Sequence, residues 1–136
     1  MSLRLKQLVL LLSVTVLLGM GSIGGVPEGT LPDVEENFVA KIEDRDGVVT
    51  EVSQFSIDGN LYLAGARGQG QVTIQLHDLK LLVFGTVATV DVPIRCTLED
   101  GKQIELRVRK RATFYGKGDF GVFQIQARHI KRIFFP

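Results

Sequence analysis

Apolar and polar residues alternate strictly in the second half of the chain. Val90, Val92, Ile94, Cys96 and Leu98 share one phase, and beyond an Asp100-Gly101 step Ile104, Leu106 and Val108 resume it. A period of two with β-branched residues predicts strands that bury one face, and Asp-Gly between two such runs predicts a hairpin turn. The first half repeats the grammar less cleanly. Phe38, Ala40 and Ile42 lead to Asp46-Gly47, and Val49 to Ile57 then alternates irregularly, which predicts a bulge or an edge strand. Pro93 cannot donate a ladder hydrogen bond, so it belongs at an edge, a bulge or a strand start.

The resemblance between the halves extends to residue identities. Ala64 to Phe84 aligns without a gap with Tyr115 to Phe135, matching Gly65 with Gly116, Gly70 with Gly121, Ile74 with Ile125, Gln75 with Gln126, Lys80 with Lys131 and Phe84 with Phe135. The upstream Asp-Gly steps are offset by 54 residues instead of 51, so one loop differs by three residues. Each unit, about 38–84 and 90–135, reads as strand, turn, strand, a glycine-rich turn ("GARGQG" or "GKGDFG"), a half-buried strand and a closing segment ("LKLLVF" or "IKRIFF"). Gly47, Gly65, Gly70, Gly101, Gly116 and Gly121 are expected to make the turns. His77-Asp78 and Arg128-His129 interrupt the alternation. One such unit is marginal alone, so the pattern predicts two units around a shared core. The fold class is all-β, a β-sandwich or small closed barrel of about eight strands after an N-terminal signal or anchor helix. Phe134 is expected to close the core, with Phe135 facing a partner, or the reverse.

Residues 1–22 carry Arg4 and Lys6, then an apolar run from Leu8 to Leu18, then small residues. This is the plan of a secretory signal peptide, with an uncleaved N-terminal anchor as the alternative. Residues 23–37, with Pro27, Pro32 and four acids, read as an acidic flexible linker, and 38–136 as a single β domain. The expected location is exported, periplasmic or associated with the envelope of a bacterial cell. Cys96 is the only cysteine, so no internal disulfide forms; its place in an alternating run predicts a buried thiol.

Charge divides along the chain. Residues 27–94 hold eleven acidic and four basic side chains, and residues 95–136 hold four and ten. Within the basic part, "IELRVRKR" places Arg107 and Arg109 opposite the apolar phase, with Arg111 continuing them. Guanidinium groups spaced about 6.6–6.8 Å apart along a strand can meet carboxylates or phosphates bidentately. Arg107, Arg109, Arg111, Lys117, Arg128, Lys131 and Arg132 are therefore the candidate binding residues. The plainer reading is a charged surface that resists edge pairing or faces the acidic part.

Catalytic patterns are weak. His77 and His129 fall one residue out of register between the units, which reverses their faces, so a site of His77, Asp78, Asp119 and His129 has no support from spacing. Ser53 and Ser56 lack a nucleophile elbow. Neither glycine-rich turn carries the G-K-[ST] ending of a phosphate loop. The sequence calls for no cofactor, no metal and no catalytic residue. An outer-membrane barrel, suggested by the terminal "FFP", conflicts with the charge in "RVRKR".

The "EDG" step, the glycine-rich turn and "FQIQARHIKRIFF" resemble small duplicated β modules of uncharacterised exported bacterial proteins, over roughly Phe38 to Phe135 and without reference to any named family. The resemblance implies an envelope-associated binding or structural role. The expected function is a non-catalytic cell-envelope protein-interaction or assembly module. The alternative is a polyanion or anionic-surface binder using the basic C-terminal half, with a hydrolase or metal-binding protein behind both. The expected partner is an envelope protein or a second copy, then an anionic lipid or polymer. Export argues against nucleic acid, and membrane contact would come only through an uncleaved N-terminus.

Overall fold

The alternating runs form ten antiparallel strands in a computed structural model that describes residues 29–136. They are β1 (Ala40–Asp44), β2 (Val49–Ile57), β3 (Tyr62–Arg67), β4 (Gly70–Gln75), β5 (Leu79–Phe84), β6 (Asp91–Leu98), β7 (Gln103–Arg109), β8 (Thr113–Gly118), β9 (Gly121–Gln126) and β10 (Ile130–Phe134). Two single 3₁₀ turns, Leu76–Asp78 and Ala127–His129, carry β4 into β5 and β9 into β10 where the histidines break the alternation. Leu31–Pro136 form one compact unit. The expected signal or anchor helix lies outside the described residues, and no described helix is long and apolar enough to cross a membrane.

All ten strands join one sheet in the order β4-β3-β7-β6-β5-β10-β1-β2-β8-β9. Exchanging β1–β5 for β6–β10 turns this order into its own reverse, with β5 and β10 paired at the centre. The sheet therefore has two five-stranded halves. One is contiguous, built from β3 to β7; the other is split, built from β1 and β2 together with β8, β9 and β10. The sequence units 38–84 and 90–135 do not form separate layers. Each sends its third strand to the second strand of the other, β3 to β7 and β8 to β2, with its fourth strand paired outside the third.

Short connections force this sheet to curl. β2 and β3 stand six places apart in the order but are joined by four residues, Asp58 to Leu61. A flat sheet would separate them by about 29 Å at about 4.8 Å per strand, whereas five steps of extended chain reach only about 17 Å. The three residues between β7 and β8 impose the same demand. The result is a strongly curled, open half-barrel sheet that ends at β4 and β9, in place of the expected sandwich or closed barrel. At the crossing, the Asp58 amide donates to the Thr113 carbonyl (2.7 Å) and the Thr113 amide to the Asp58 carboxylate (3.0 Å).

The concave side holds one core. Ala40, Ile42, Val92, Ile94, Cys96, Leu106 and Val108 are buried on the predicted phase, whereas Val90 precedes β6 and is 61% exposed. Phe114 joins the halves, its ring 6.0 Å from Phe55 and 5.7 Å from Phe84. Of the terminal pair it is Phe135 that is buried, 5.3 Å edge-on to Phe55, while Phe134 faces solvent. Asn37 accepts a 2.7 Å hydrogen bond from the Gln54 amide, and Pro32 lies against Gly59, so the end of the expected linker rests on the domain.

Pro93 is tolerated because of where β5 stops. A strand residue aims its N–H and C=O to the same side. The Pro93 carbonyl accepts from Gly85, one residue past the end of β5, so its missing N–H falls beyond that ladder. Burial pushes the Cys96 thiol up to about 12. In the unfolded chain a cysteine loses its proton near pH 8.5. Between these values the unfolded state holds fewer protons, so stability falls as pH rises through this window, whereas below the lower value it is fully retained. Denaturant midpoints of the protein and Cys96→Ala are expected to converge from pH 8.5 to 11, and a native-state thiol reagent should react only on unfolding.

A candidate binding groove between β3 and β7

The alternation that buries Leu106 and Val108 turns Arg107 and Arg109 outward from β7, and Arg111 follows in the crossing segment. These three arginines border a groove of about 700 Å³. Its floor is lined by Leu63, Ala64, Gly65 and Ala66 of β3, with Tyr62 and Asn60 at one end and Gln69 and Gln71 at the other. Asp58 and Asp91 also reach it. The Arg107 guanidinium donates to the Gly68 carbonyl (2.9 Å), clamping the β3–β4 turn. Among the described residues, no carboxylate lies within 4.0 Å of the Arg107, Arg109 or Arg111 guanidinium.

The groove exists because the two halves differ there. In the split half, β2 stays paired with β8 through Ser53–Lys117, Ser56–Tyr115 and Ile57–Phe114, with a bulge between Ser53 and Ser56. Gln54 adopts φ +50° in this bulge and Phe55 turns into the core. The irregular alternation of Val49–Ile57 thus marks a bulge in an interior strand, not an edge. In the contiguous half, β7 stops at Arg109 and its ladder with β3 is a single pair, Ala66–Arg107. The three-residue difference between the units falls between Val52 and Gly65 in one and between Leu106 and Gly116 in the other, which includes the bulge. β7 is thus two residues shorter than β2, its ladder with β3 ends at Ala66–Arg107, and the space beside Ala64 stays open.

The remaining predicted site residues do not gather here. Lys131 and Arg132 flank Glu43 of β1, with Arg132 Nε 3.1 Å and Lys131 Nζ 3.9 Å from its Oε2. Lys117 extends from β8. Arg128 lines a second, shallower hollow of about 370 Å³ with Thr113, Tyr115, Gln124 and His129, and donates from Nε to the His129 ring (3.1 Å). His77 meets Asp78 at 3.0 Å in the turn after β4, while His129 stands in the turn after β9 at the other end of the sheet order. Among the described residues no three His, Cys, Asp or Glu side chains converge as metal ligands. The charge divide also dissolves, since residues 62–109 of the contiguous half and the strand-bearing stretches 40–57 and 113–134 of the split half each carry six basic and five acidic side chains.

Two of the expected turn glycines do other work. Gly65 and Gly116 lie inside β3 and β8. A Cβ on Gly65 would come within 3.0 Å of Leu106 Cβ, and one on Gly116 would overlap Val52. Gly47, Gly101 and Gly121 do take positive φ, whereas in the β3–β4 turn that role falls to Gly68 and not Gly70. The lining residues Tyr62, Asn60, Asp58 and Asp91 carried no motif. The available signal was the run of small residues in "LAGA", which permits close approach to a strand surface.

A family model described as "Uncharacterised protein" matches residues 34–136. The chain belongs to that family. This overturns the expectation that its resemblance would lead to no named family, and the match spans the whole sheet, both crossings and the groove. Comparisons with curated proteins and with solved structures gave no match.

Proposed function

We propose that the protein is a non-catalytic interaction module of the bacterial cell envelope and that the groove beside β3 takes an extended acidic segment of a partner protein. The observation that carries this is the loss of the β3–β7 ladder after one pair, which opens about 700 Å³ beside Arg107, Arg109 and Arg111. A narrow apolar floor of small residues accepts an extended backbone, and the guanidinium groups meet carboxylates bidentately. No histidine, cysteine or serine lines the groove, which suits binding more than group transfer. The N-terminal apolar stretch after Arg4 and Lys6 supports export, with cleavage or retention as an anchor. The palindromic strand order and the matched 3₁₀ turns support an internal duplication.

Even charge distribution between the halves favours a protein segment over a polyanion, because a polymer or lipid surface rewards a broad basic face. Titrating the isotope-labelled protein with an acidic dodecapeptide at 0.15 and 0.5 M salt tests the choice. Backbone shifts are expected at Tyr62, Gly65 and Arg109 at both salt levels, with affinity reduced at least about tenfold in R109E/R111E. Binding only of polyphosphate, lost at 0.5 M salt, would assign the arginines to a polyanion instead. No response to either ligand would refute the groove as a binding site.

A further inference from the structure

The two edges of the sheet share an unusual composition. β4 (GQVTIQ) and β9 (GVFQIQ) contain no charged residue and no proline, and each of the other eight strands contains at least one charge. Sheet edges are ordinarily protected by lysine, proline or bulges against pairing with other chains. Here the charges are on the interior strands, and both edges are bare.

The hydrogen-bond phase shows what the β9 edge offers. The Ala127 amide donates to the Ala112 carbonyl, so Thr113–Gln126 is a non-hydrogen-bonded pair and Phe114–Ile125 a hydrogen-bonded one. Phe123 and Ile125 therefore spend their backbone groups on β8, and those of Val122, Gln124 and Gln126 point off the sheet. β9 is also less covered than β4. Ile74 is 8% exposed, but its counterpart Ile125 is only half-buried, as is Phe123, while Val122 is 39% and Phe120 at the hairpin tip 73% exposed.

We propose that β9 pairs with β9 of a second copy, antiparallel and centred on Gln124, extending the sheet across a two-fold axis. Full overlap of the three outward residues sets Val122 opposite Gln126 and Gln124 opposite itself, with about six backbone hydrogen bonds. Phe123 then faces Ile125 of the other copy in the closer, non-hydrogen-bonded position, an aromatic–β-branched pair of the kind that stabilises sheets. No like charges meet anywhere along this strand. A second copy fits better than an unrelated strand because every pairing this register demands is supplied by the segment itself, and the isologous contact closes as a dimer. The groove is not involved, so this proposal stands independently of the ligand proposed above.

Sedimentation of the full chain over about 1–200 μM is expected to show a monomer–dimer equilibrium. Gln124→Lys places two ammonium groups directly opposite each other and should weaken the dimer at least about tenfold without lowering the unfolding midpoint. Thr73→Lys on β4 should leave association unchanged. Gln124→Cys gives an independent readout: a hydrogen-bonded pair holds its Cα atoms about 5.5 Å apart, within disulfide reach, so oxidation should yield a covalent dimer. Buried Cys96 provides no competing thiol. A chain that stays monomeric at 200 μM, a dimer indifferent to Gln124→Lys, dissociation by Thr73→Lys, or failure of Gln124→Cys to cross-link would each overturn the proposal.

Discussion

Replacing Phe114 with alanine is expected to cost about 3–5 kcal/mol and to lower both halves of the sheet in one transition. The ring is fully buried in β8 and makes aromatic contact with Phe55 of β2 and Phe84 of β5, one in each half. Truncation removes the transfer free energy of the ring and leaves a cavity that strands pinned on both sides cannot close. Equilibrium denaturation followed by far-ultraviolet circular dichroism and by thiol exposure at Cys96, which lies in the contiguous half, provides the check. Coincident curves with a strongly reduced midpoint are expected. If Cys96 stays protected while ellipticity falls, the halves are separable and the shared aromatic core is not what couples them.

Gly116→Ala is expected to destabilise by about 3 kcal/mol or more, at or beyond the upper end of ordinary overpacking. The new methyl would overlap Cβ and Cγ2 of Val52, and Cβ cannot rotate away because it is fixed to the β2 backbone. The equivalent Gly65→Ala is a graded control. Its methyl would stand 3.0 Å from Leu106 Cβ and 3.1 Å from the Arg107 carbonyl, a contact that a few tenths of an ångström relieves, so a loss of about 1 kcal/mol is expected. Urea midpoints of the two variants should differ in that order. Equal losses would mean that β8 does not press on β2 more closely than β3 presses on β7.

The strands and their buried faces were legible because period-two alternation reports burial directly. The positions of Val92, Ile94 and Cys96, the Asp-Gly hairpins and the histidine-bearing interruptions follow from local chemistry alone. Partner choice is not local. The third strand of a unit can pair with the second strand of its own unit or of the other, and both alternatives bury the same phase. What decides is the reach of the segments 58–61 and 110–112 and the fit of glycine against valine or leucine, neither of which leaves a mark in hydropathy. For the same reason Gly65 and Gly116 resembled turn residues, although their lack of a side chain serves close strand contact. The arginine row of β7 was visible as a charged stripe, but its groove was not, because the open space comes from residues missing relative to the other unit. The acidic-to-basic divide along the chain had no spatial counterpart once the units exchanged strands.

The split half also has a consequence for how the molecule is made. A chain emerging from its N-terminus releases β1 and β2 first, and their partners β8 and β10 arrive only after more than fifty further residues. Strands 3 to 7 meanwhile pair among themselves and can close early, with only the outer side of β5 left waiting for β10. Through that interval β2 is exposed to its look-alike rival β3, so assembly is expected to be slow, as is usual for distant strand pairing, and to be prone to a within-unit mispairing that only the late strands can correct.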